Sequence, residues 1–113
     1  MPYIKTRTNT SISKEQESEI KTRLGNAITN LGKSEQWLMV DFDQNCNLYF
    51  QGSNDKLIAY VEVKLYGNAS SDAYNKMTNE ISNILNEILN IDKNNIYVSY
   101  YPTDNWGWNG NNF

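Results

Sequence analysis

The sequence predicts an α/β fold of the two-layer, α+β sandwich kind: a tandem β-α-β repeat forming a four-stranded mixed sheet, with two helices on one face. Three observations predict it. Two apolar stripes at helical spacing, Ile20–Leu31 and Met77–Leu89, alternate with four β-forming runs. The order is β-α-β, loop, β-α-β. The passage from helix end through loop to strand also recurs, with Leu31-Gly32-Lys33-Ser34-Glu35-Gln36-Trp37-Leu38 answered by Ile91-Asp92-Lys93-Asn94-Asn95-Ile96-Tyr97-Val98. Crossovers of one hand put both helices on the same side of the sheet. At 113 residues the chain is expected to form a single domain over 1–113, large enough to hold a core without metals or disulfides.

Residues 3–8 read as the first strand, with Tyr3, Ile4, Thr6 and Thr8 as β-formers. Ser13 with Gln16 fits a capping box, and Glu15, Glu17 and Glu19 sit where the helix dipole favours acids. Ile20, Leu24, Ala27, Ile28 and Leu31 follow as one stripe, and Gly32 is placed as its C-cap. Gln36–Phe42 reads as the second strand, covered on both faces because Trp37-Leu38-Met39-Val40 is continuously apolar. Gln44–Ser53 is a loop with an extended piece at Leu48-Tyr49-Phe50. Leu57–Tyr66 is the longest strand, with Leu57, Ala59, Val61, Val63 and Leu65 on one face. The second helix carries Met77, Ile81, Ile84, Leu85, Ile88 and Leu89. Ile96–Tyr101 is the fourth strand, stopped by Pro102, and an aromatic, glycine-rich tail follows. The sheet face away from the helices is left bare, with Ile58, Tyr60 and Tyr66 on one strand. An apolar face of that size predicts association.

The composition removes whole classes of chemistry. There is no histidine, so histidine-based nucleophilic catalysis and histidine-ligated zinc are excluded. One cysteine, Cys46, allows no intrachain disulfide. The net charge is −3 with no basic run, which argues against nucleic acid or an anionic membrane as partner. No apolar stretch approaches the roughly 20 residues of a membrane span. The first residues lack a signal peptide's apolar stretch. The cytoplasm is the expected compartment, and export without a signal peptide stays open.

Pro2 is the residue with chemical potential. Initiator methionine is generally removed before a small residue, and removal would expose a secondary amine. An α-amine titrates nearer neutrality than a lysine, and burial or a neighbouring cation lowers it further, toward a usable base. Pro2 equally suits the start of an edge strand, where its missing N–H does no harm. Lys33 could simply compensate a helix C-terminus. Tyr97 could be sheet filler, and Trp108 a turn anchor.

Met1-Pro2, Thr8-Asn9, Gly32-Lys33, the Phe50-x-Gly52-Ser53 turn, Ile96-Tyr97-Val98-x-Tyr100-Tyr101, and Asn105-x-Gly107-Trp108-Asn109 with Phe113 occur in that order. Together they resemble the macrophage migration inhibitory factor family of the tautomerase superfamily, end to end. The resemblance implies a homotrimer whose sheets enclose a central channel. It implies a keto–enol tautomerase of small aromatic 2-oxo acids such as phenylpyruvate, working without cofactor or metal. Pro2 matches the catalytic base, and Lys33 the pocket cation that grips a carboxylate or stabilises enolate charge. The backbone N–H of Leu65 matches a second carboxylate contact. Tyr97 matches a pocket tyrosine supplied by the adjacent subunit, and Trp37, Trp106, Trp108 and Phe113 line or frame the mouth. Ser99 and Trp106 depart from the best-known member, which has an asparagine and a valine there. The family's redox thiol pair is absent, since Leu57-Ile58-Ala59-Tyr60 occupies that segment. The alternative function is a cytokine-like signalling protein of the same fold, acting on a host receptor with a weak or vestigial site.

Overall fold

The computed structural model describes residues 1–113. Strand β1 (Pro2–Thr8) leads to helix α1 (Lys14–Ala27) and strand β2 (Met39–Asp43); β3 (Ala59–Tyr66), α2 (Ser71–Leu89) and β4 (Ile96–Thr103) repeat the pattern. The sheet order is β2-β1-β3-β4. Each β-α-β unit pairs its own strands in parallel, and the two units join antiparallel through β1 and β3. The predicted fold class is therefore the observed one: a mixed four-stranded sheet under two helices.

The core lies between helices and sheet. Ile4, Val61, Val63 and Leu65 point up from the central strands against Ile20, Leu24 and Ile28 of the first helical segment and Met77, Ile81 and Leu85 of α2. The alternation along β1 and β3 is the period-two signature of strands covered on one face. Helix α1 starts as its sequence dictates: Ser13 accepts from the Gln16 N–H at 3.1 Å, while the Gln16 side chain accepts from the Ser13 N–H at 2.9 Å. Removing this cap with Ser13→Ala is expected to cost about 1 kcal/mol, read in urea unfolding as a lower midpoint at unchanged slope.

Several boundaries differ from the sequence reading. The first helix tightens into a 3₁₀ turn over Ile28–Leu31 before Gly32, whose φ of 70° gives the expected left-handed cap. Helix α2 ends the same way on Asn90, at φ 60°. The structural repeat therefore matches Gly32 to Asn90 and the short turn Glu35–Trp37 to Lys93–Asn95, two residues away from the alignment read in the sequence.

Gln36 and Trp37 are not strand residues. The Ser34 side chain accepts from the Gln36 N–H and starts a 3₁₀ turn, so β2 begins only at Met39. Nor is β2 covered on both faces. It is an edge strand paired only to β1, with Met39 66% exposed. The apolar run there has two destinations: Leu38, Val40 and Phe42 pack on the core, while Trp37 and Met39 stay exposed. Leu48-Tyr49-Phe50 forms no strand, only a tight turn closed by Phe50 and Ser53.

At the other edge, β4 does not stop before Pro102 but runs through it to Thr103, opposite Leu65 and Tyr66. An edge strand has one side without a partner, so a missing N–H costs no ladder bond there. Pro2, by contrast, begins a central strand, not an edge one, and as its first residue it escapes the same penalty.

The bare sheet face exists, but it is polar and not apolar. The Tyr3 hydroxyl donates to Asp41 at 2.5 Å, and Arg7 pairs with Asp43 at 2.7 Å. Tyr60 shares hydrogen bonds with Ser99 at 2.6 Å and with Tyr101 at 2.9 Å. Ile58, read as part of this face, is buried. No helix is long and apolar enough to cross a membrane.

Candidate active site

The start of β1 opens into a cleft of about 410 Å³. Met1, Pro2 and Tyr3 form one wall; Gln36, Trp37, Leu38 and Met39 another; Trp106, Gly107 and Trp108 the third. Strand pairing brings the first two segments together. Parallel pairing sets Tyr3 opposite Met39, which delivers the Gln36–Met39 corner to the N-terminus. Antiparallel pairing sets Pro2 opposite Leu65, and the Tyr66 N–H donates to the Met1 carbonyl at 3.1 Å. Pro2 is buried in this arrangement.

The tail forms its own wall. Strands β5 (Gly107–Trp108) and β6 (Asn111–Asn112) make a small hairpin. The Phe113 N–H donates to the Trp106 carbonyl at 3.0 Å, and the Phe113 ring lies edge-on to Tyr66 at 5.2 Å. The hairpin holds Trp108 edge-to-face on Trp37, with ring centroids 5.2 Å apart. Both indoles stay more than two-fifths exposed, so the cleft has an aromatic and open rim.

Lys33 follows directly on the left-handed Gly32. Its ammonium lies 3.8 Å from where a Cβ at Gly67 would stand, just beyond the β3 strand end that pairs with Pro2. The three ion pairs of the molecule join Arg7 to Asp43, Arg23 to Glu87 and Lys64 to Glu62; Lys33 takes part in none. The terminal amine, carried by Met1, is held below its ordinary value, first by burial and then by the Lys33 ammonium. An uncommitted cation therefore acts on the amine end of β1.

The sequence-derived residues divide into three groups. Pro2, Trp37, Trp106 and Trp108 line the cleft together. Lys33, Leu65 and Phe113 lie outside its lining but border it: Lys33 through its charge, Leu65 as the pairing partner of Pro2, and Phe113 through Trp106. Tyr97 is not brought to the cleft within the chain. It pairs with Tyr60 near the opposite end of β3, five strand residues from Leu65, or roughly 17 Å. There it is 62% exposed and packs edge-on to Phe50 at 5.0 Å. Ser99 is occupied by Tyr60 on the open sheet face.

Sequence reasoning missed Tyr3, Gln36, Leu38, Met39 and Gly107 as wall residues. The signal was adjacency to Pro2, Trp37 and Trp108, hidden by reading 36–42 as uniform strand. Tyr3 is fixed by Asp41, whose hydrogen bond and charge, together with burial and Glu62, push its phenol up to about 12. It is thus a neutral hydrogen-bonding wall and not an acid or base near neutrality.

Comparison with known proteins fits this geometry. Residues 1–113 match the sequence model of the macrophage migration inhibitory factor family. Comparison with curated protein sequences gives no match. Among solved structures, Leishmania major MIF2 is similar at 32% identity and a TM-score of 0.93, covering 100% of this chain and 97% of its own. The macrophage migration inhibitory factor of Toxoplasma gondii is similar at 21% identity and a TM-score of 0.90, covering 98% and 99%. Pt0534, solved as inactivated by 2-oxo-3-pentynoate, shares the fold at 15% identity and a TM-score of 0.82, covering 96% and 92%. By the full-length family match and the Leishmania relative, this chain belongs to the macrophage migration inhibitory factor family.

Proposed function

We propose that the chain is a cofactor-independent keto–enol tautomerase of small aromatic 2-oxo acids, with phenylpyruvate as its test substrate. The observation that carries this reading is the start of β1. It sits in an aromatic cleft, where burial and an unpaired ammonium both make an amine less basic. Once Met1 is removed, the Pro2 nitrogen becomes that amine. It takes a proton from the carbon beside the substrate carbonyl and returns it in the reverse direction. Lys33 grips the carboxylate or offsets charge on the enolate oxygen, with the Leu65 N–H as a second donor. Trp37, Trp106, Trp108 and Phe113 hold the ring, which suits a flat aromatic substrate. The inactivation of the similarly folded Pt0534 by 2-oxo-3-pentynoate supports the chemical class, since that inactivator is itself a 2-oxo acid.

Tyr97 enters the same reading through assembly. Its exposure and its distance from Pro2 suit a side chain donated to the cleft of a neighbouring copy in a homotrimer. Native mass spectrometry should then give three times the 13.1 kDa chain. The sharper experiment mixes two inactive proteins. Pro2→Gly and Tyr97→Ala should each abolish most decay of enol-phenylpyruvate absorbance. Co-refolded together, they should regain part of it, because some clefts receive Pro2 from one copy and Tyr97 from another. No recovery would remove Tyr97 from the site. No turnover by the wild-type protein with Met1 removed would overturn the tautomerase reading.

A further inference from the structure

The sequence holds eighteen asparagines but a single Asn-Gly pair, Asn109-Gly110. This pair forms the tip of the β5–β6 hairpin. Trp108 pairs with Asn111 across it, and both central residues are left-handed, Asn109 at φ 53° and Gly110 at φ 83°. That is the type I′ geometry for which Asn-Gly is the preferred pair. The tip is exposed on every residue, and each strand is only two residues long. Few backbone bonds hold a ladder this short and exposed, which makes its local opening inexpensive.

We propose that Asn109 is a site of spontaneous deamidation, and that the isoaspartyl product dismantles one wall of the cleft. In the opened turn, solvent hydroxide takes the Gly110 N–H proton. The freed nitrogen attacks Cγ of Asn109, a reaction that glycine favours because it has no Cβ to shield the nitrogen. The new N–Cγ bond forms, the Cγ–Nδ2 bond breaks, and ammonia leaves with a proton from water. A five-membered succinimide remains. Water then opens it at one of its two carbonyls. Opening at Cγ gives aspartate with the original backbone. Opening at the main-chain carbonyl gives isoaspartate, whose backbone runs through the side-chain methylene. No oxidant or cofactor is consumed.

The two products differ where it matters for the cleft. Both add one negative charge at its rim. Only isoaspartate lengthens the loop by a methylene, and a two-residue turn cannot absorb that and keep Trp108 opposite Asn111. Trp108 then leaves Trp37, and the wall made by Trp106, Gly107 and Trp108 loosens.

The test incubates the full-length protein at 37 °C and pH 8 to 9, followed by intact mass, peptide mapping and tryptophan emission. The expected result is a gain of about one mass unit, mapped to position 109 as a mixture of the two products and faster at the higher pH. Chromatographically separated isoaspartyl protein should show red-shifted tryptophan emission, and Asn109→Asp protein should not. Asn109→Gly, which retains the left-handed turn but has no amide, should gain no mass. An unchanged mass at position 109, the same gain in Asn109→Gly, or isoaspartyl protein with unaltered emission would each overturn the proposal. None of these readouts depends on what the cleft turns over.

Discussion

Protein that keeps Met1 should interconvert enol- and keto-phenylpyruvate about 10²- to 10⁴-fold more slowly than protein from which it has been removed, the usual contribution of a positioned acid–base group. The reason is electronic. With Met1 attached, the Pro2 nitrogen is an amide, its lone pair is delocalised into the carbonyl, and it cannot accept a proton. The Met1 amine that replaces it is less basic than usual, but it is displaced by a residue from the β1 backbone that positions Pro2 against Leu65. N-terminal mass spectrometry on each preparation, alongside enol absorbance decay, makes the comparison. Equal rates would exclude Pro2 as the base. The pH profile gives an independent check. A base works only when unprotonated, so the rate should rise with pH through the amine pKa and then level off. Burial and Lys33 hold the Met1 amine below its ordinary value, and the same two causes at the same strand start are expected to lower the pKa of the freed Pro2 nitrogen, moving the rise to lower pH.

Lys33→Ala should act on binding and on that profile together. A charged hydrogen bond to a carboxylate is worth about 1.5–3 kcal/mol, so KM should rise by roughly 10- to 150-fold. The loss should be large because Lys33 has no carboxylate partner of its own, leaving its charge available to a ligand. The acid limb of the pH profile should also move to higher pH, since one of the two causes of the lowered amine pKa is gone. The movement should be partial, because burial, the larger cause at the Met1 amine, remains in the variant. A variant with unchanged KM would take Lys33 out of carboxylate binding. A raised KM with an unmoved limb would separate substrate capture from tuning of the base.

Both predictions use residues that were legible in the sequence, for different reasons. Pro2 stood out because its position makes a distinctive amine, whereas Lys33, read from the residues alone as compensation of a helix C-terminus, was marked as a pocket cation by the family resemblance. Tyr97, too, was legible only through family resemblance. The fold explains why: within one chain it stands at the far end of β3. Tyr3, Gln36, Leu38 and Met39 carried no mark of their own, because a wall residue is defined by what lies across from it.

The same division runs through the whole molecule. Local chemistry alone determined the two helices, the Ser13 capping box, the Gly32 stop, the strand character of β1, β3 and β4, and the absence of histidine chemistry. Period, cap and side-chain inventory are properties of neighbours along the chain. Tertiary structure decided that β2 is an edge strand beginning at Met39, that β4 passes through Pro102, that the open sheet face is a network of tyrosines and charges, and that three tryptophans meet at the start of β1. Those outcomes depend on which strand lies beside which. Pairing across dozens of residues is fixed by the packing of the assembled sheet, which no short window of sequence records.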